Sequence, residues 1–136
     1  MSLKTLLYLV AVTGAAASLP ASAHHSFAAE FDADMGIDIT GIVTKVEWMN
    51  PHTIFYIDVE TDDGEYQNWA IELGSPNGLM RRGWTRNSLQ IGDQVTVVGS
   101  QARDGSLKGN AQSVILSSGE RMFAGTSQPD VEGSEN

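Results

Sequence analysis

No cysteine occurs among the 136 residues. Its absence excludes disulfides, thiol nucleophiles, thiolate metal sites and a lipidated terminal cysteine, so core packing alone must hold the domain together. Basic residues are scarce: eight Lys and Arg stand against seventeen Asp and Glu, for a formal charge of −9. Phosphate binding draws its affinity from clustered Lys and Arg, so this balance argues against DNA or RNA as a partner. A cationic ligand, a metal ion or a basic partner suits it better. Past residue 23 no apolar run approaches the roughly 20 residues that span a bilayer, so no transmembrane segment is expected in the mature chain. A Gly-rich phosphate loop and a serine elbow are also missing. No catalytic residue can be assigned.

What is present begins with a leader. Residues 1–23 have the pattern of a secretory signal peptide: Lys4, the apolar stretch Leu6 to Val12, and Ala21-Ser22-Ala23 as the small-residue cut site. The expected location is therefore the bacterial periplasm or the outside of the cell. Cleavage after Ala23 leaves residues 24–136, with His24 at the terminus and His25 behind it. Cutting after Ala21 is the weaker alternative, because Leu19 then occupies the −3 position; it would place His24 third in the chain.

The mature part is long enough for one domain. Residues 24–36 have no clear periodicity and are expected to form an extended arm pinned by Phe27 and Phe31. Strands are predicted at Ile37 to Trp48, Thr53 to Thr61, Tyr66 to Leu73, Gln94 to Gly99 and Asn110 to Leu116. In the first, Ile42, Thr44, Val46 and Trp48 share a face that Ile37 and Ile39 do not, and Gly41 is the expected site of the phase change. Asp62-Asp63-Gly64 predicts a hairpin turn. Ser75-Pro76 predicts the capped start of a short helix that Gly83 ends. Five strands with one short helix between the third and fourth predict a mainly β, OB-like Greek-key barrel over residues 37–123. Residues 124–136 are expected to be a disordered acidic tail.

Several of these motifs together resemble a family of small exported bacterial proteins known as a domain of unknown function. They are His24 through Asp32 (HHSFAAEFD), Gly41-Ile42-Val43 leading to Trp48, Asn50-Pro51-His52, Trp69 with Glu72, Gly74-Ser75-Pro76, Leu79, Arg82-Gly83-Trp84, Gly92-Asp93 with Val95 and Val97, and Asp104-Gly105-Ser106. The resemblance covers nearly all of the mature chain. It implies export and a small β-barrel, and it brings no activity or catalytic residues with it.

Three histidines carry the sharpest chemical expectation. A free amine on His24, its ring, His52 and His25 as a further ligand form a nitrogen donor set without sulfur, which favours Cu(II). Copper is thus the candidate cofactor, with His24, His52 and His25 as candidate metal residues. Asp32, Asp34, Gly36 and Asp38 do not form a calcium loop, because Ile37 and Val43 fall where Gly and Glu are required. Glu72 is expected near the surface, paired with Arg81 or Arg82. The second candidate surface lies on strands two and three: Tyr56, Asp58, Glu60, Tyr66 and Asn68, suited to a basic peptide, a glycan or a cationic small molecule. The leading expectation is an exported, non-catalytic binding or accessory protein whose partner is an envelope protein or small ligand. A metal-free binding module and a small metal-dependent redox enzyme are the alternatives.

Overall fold

The computed structural model describes residues 24–125, with side chains from Phe27 onward. The expected leader and the chain after Gly125 lie outside the described residues. The elements are α1 (His24–Glu30), β1 (Phe31–Glu47), β2 (Ile54–Glu60), β3 (Tyr66–Glu72), α2 (Pro76–Arg81), β4 (Gln94–Ala102), β5 (Lys108–Ile115) and β6 (Arg121–Phe123). Among the described residues, no helix is long and apolar enough to cross a membrane.

Period-two patterning puts Phe55 and Ile57 of β2 and Trp69 and Ile71 of β3 into one core with Val43, Val95, Val97 and Val114. Antiparallel pairing runs β3-β2-β1-β4-β5, and a short parallel contact between β3 and β5 closes the ring. This is the five-stranded OB-like barrel that the sequence predicts, with α2 between β3 and β4. Ser75 caps α2 by accepting a hydrogen bond from the Gly78 amide at 3.2 Å. Leu79 and Trp84 then seal the barrel end, and the Trp84 indole Nε1 donates to the Phe123 carbonyl at 2.9 Å.

The ends of the domain differ from expectation. The extended arm foreseen at 24–36 is instead α1 followed by the first residues of β1, which runs for 17 residues. Ala28, Ala29 and Glu30 favour a helix, but seven residues are too few to display its period. Phe27 stacks on Phe31 with ring centroids 5.6 Å apart, and Phe31 is buried. At the other end β6 was not foreseen. Ala124, expected in the tail, is buried; its amide donates to Gln112 and its carbonyl accepts from Gly74, both at 2.9 Å.

The phase change in β1 also lies elsewhere. Ile37 and Val43 are buried, whereas Ile42 is 40% exposed. Register slips between Val43 and Lys45, which returns Val46 and Trp48 to the core. Gly41 instead permits a close approach of backbones. A Cβ there would sit 2.6 Å from the Asp58 carbonyl oxygen, at the point where β1 passes from its β4 partner to β2. Gly41→Ala is expected to lower stability by about 1–3 kcal/mol through overpacking. Gly36→Ala, with open space around the added methyl, is expected to change it by less than about 0.5 kcal/mol; urea unfolding of the two variants checks the contrast.

Candidate functional site

After β1 the chain turns through Asn50 and Pro51 and is recaptured at Thr53. The Thr53 amide donates to the Gly74 carbonyl at 3.0 Å, and the Leu73 amide donates to the Thr53 carbonyl at 2.8 Å. With Ile54 opposite Glu72 in the β2–β3 ladder, these bonds bring residue 52 over the end of β3. There His52 Nδ1 meets Glu72 Oε1 at 2.7 Å, with the His52 side chain 35% exposed and Glu72 only 12%. An Nδ1–H donated to a carboxylate fixes the ring's tautomer and orientation and leaves the Nε2 lone pair for another partner.

The expected pairing of Glu72 with Arg81 or Arg82 is therefore corrected. Ladder register aims Glu72 at His52, while the Arg82 guanidinium donates to the Gly125 carbonyl at 3.2 Å. Trp69, Ile71 and Leu73 do face the core, as alternation requires. His52, Ser75, Leu79, Arg82 and Gly125 line a pocket of about 280 Å³. Gly125 also lines a second pocket of about 330 Å³ together with Phe27 of α1. The turn holding His52 and the segment following His24 thus flank the same stretch of chain.

Of the candidate ligands, the side chains of His24 and His25 lie outside the described residues. Among the described residues, no three His, Asp or Glu side chains are grouped as metal ligands.

The β2–β3 surface assembles in part. Asp58, Glu60 and Tyr66 line a cleft of about 210 Å³ with Thr40, Ile42 and Gln94. Asn68 stands opposite Asp58 and donates to its Oδ1 at 2.7 Å. Tyr56 is drawn away: its hydroxyl donates to Glu47 at 3.2 Å, and the Lys45 ammonium lies 5.2 Å from its ring centre. The hydrogen bond from Lys45 holds the Glu47 carboxyl below the usual carboxylate range, and Glu47 in turn raises Lys45.

Residues that sequence reasoning missed hold α1 in place. The Arg103 backbone amide donates to the Glu30 carbonyl at 2.9 Å, and its side-chain Nε donates to the Ala28 carbonyl at 2.7 Å. Its guanidinium also pairs with Asp32 at 3.3 Å, and Lys108 pairs with Glu30. The only sequence signal was a rare basic residue beside the Asp104-Gly105 turn. Arg103→Ala is expected to speed amide exchange over residues 27–32 and leave β2 and β3 protected. Because these contacts are solvent-exposed, global stability is expected to fall by no more than about 1 kcal/mol; hydrogen-exchange mass spectrometry and thermal unfolding check both.

No curated protein and no solved structure matches this chain. The profile of a family of unknown function (DUF6152) matches residues 12–112, from before α1 into β5. On that match, the chain belongs to the DUF6152 family.

Proposed function

We propose that this protein is an exported, non-catalytic binding protein that holds Cu(II) between its processed N-terminus and His52. The observation that carries the reading is the Glu72 carboxylate 2.7 Å from His52 Nδ1. Metal-binding histidines are commonly oriented this way, with the second ring nitrogen engaged by a carboxylate and the other left for the ion. Three further points support it. The leader's cut site puts a free amine on a histidine. The chain offers no thiolate. Phe27 of α1 and His52 each line a pocket that Gly125 also lines.

Nitrogen donors of this kind rank Cu(II) above Zn(II) and Ni(II). Both the amine and the imidazoles must be deprotonated to bind, so affinity falls as pH is lowered. In this reading the protein carries or buffers the ion.

A second reading is favoured by the gathering of Asp58, Glu60 and Tyr66 around one cleft: recognition of a basic peptide or cationic small molecule by the β2–β3 face. NMR titration with a Lys-rich peptide separates the two, since this reading moves Tyr66 and leaves His52 still.

For the copper reading, intact mass of the exported protein is expected to place the terminus at His24. Calorimetric titration with Cu(II) is then expected to give one tight site. His24→Ala and His52→Ala should each weaken it at least a hundredfold, and Glu72→Gln roughly ten- to a hundredfold. Unchanged affinity in the two histidine variants would remove copper from the account.

A further inference from the structure

We propose that the pocket beside His52 binds a small monocarboxylate, seated on the Arg82 guanidinium and the Ser75 hydroxyl. This proposal does not depend on copper. The pocket is an open depression of about 280 Å³, close to the lower end of the range of small-molecule sites.

Two of its polar side chains, Arg82 and Ser75, offer donors. Arg82 spends one N–H of Nη1 on the Gly125 carbonyl, which tethers the guanidinium at the pocket wall. A guanidinium has five N–H groups, and Arg82 has no carboxylate partner among the described residues. Ser75 Oγ accepts from the Gly78 amide, which leaves its own hydrogen to donate. Leu79, buried in the core, supplies an apolar wall for an alkyl group.

Among the described residues, no Asp or Glu lines the pocket. Glu72, which pairs with the His52 ring at Nδ1, is not among the lining residues. In a chain of formal charge −9, a pocket whose one fully charged lining residue, among those described, is an arginine favours an anion. A carboxylate matches the planar guanidinium fork better than a point charge would.

The test uses the processed, metal-free protein, labelled with ¹⁵N and titrated with propionate or with uncharged propionamide. Propionate is expected to give saturable shifts confined to the amides of Ser75, Gly78, Arg82 and Gly125, and propionamide none. Arg82→Ala should raise the apparent Kd roughly tenfold or more, and Arg82→Gln, which keeps most of the stem, should do the same. Arg81→Ala, on the same helix but outside the pocket lining, should change it less than about twofold. The proposal is overturned by non-saturable shifts, by equal shifts with propionamide, or by an unchanged Kd in both Arg82 variants. Because no metal is present, failure here leaves the copper titration unaffected, and the converse also holds.

Discussion

Three parallel pairs, Ala70 with Lys108, Ile71 with Gly109 and Glu72 with Asn110, turn a meandering sheet into a closed ring. Without them β3 would be a bare edge, β5 would be covered only where β6 pairs with Ser113 to Ile115, and the core between β3 and β5 would be open to water. Lacking disulfides, the chain has no covalent substitute. At this seam the space is tight: a Cβ on Gly109 would come within 2.5 Å of the Ile37 side chain. The hydrogen-bonded contact between β3 and β5 and the packing of β1 beneath it are therefore one constraint.

Glu72 belongs to that seam. It pairs with Asn110 across the closure and with Ile54 in the β2–β3 ladder, and its side chain holds His52. The histidine's orientation is thus inherited from the barrel and not from the turn that carries it. Arg82 is placed by a different route, through α2 and the Gly125 segment. Two independently built walls meet at one pocket, so its shape reports on the ladder and the helix together.

Much of the barrel was legible because its signals are local. Alternation over Phe55 to Val59, Asp-Gly in a turn, and Ser-Pro before a helix each depend on neighbours within a few residues. What escaped depends on distant partners. The slip after Val43 is set by β2, and Gly41 is explained by the Asp58 carbonyl rather than by its own strand. The three-residue β6 is too short to show a period, and Ala124 looks like tail until Gln112 and Gly74 are found on either side of it. The His52 to Glu72 contact could have been found by aligning the second and third strands about the Asp62-Asp63-Gly64 turn. Arg103 could not, because its partners are backbone carbonyls some 75 positions earlier.

β1 has one further consequence. It is a single unbroken strand of 17 residues that serves β4 along one half and β2 along the other. No line can be drawn through the ring that leaves two self-sufficient pieces, since each would need the same strand. Partial opening of either half therefore strips its neighbour of support, and the native state should be lost in a single cooperative step. The connection at Asp62 to Gly64, remote from that shared strand, is where an inserted tag or a relocated terminus would be tolerated.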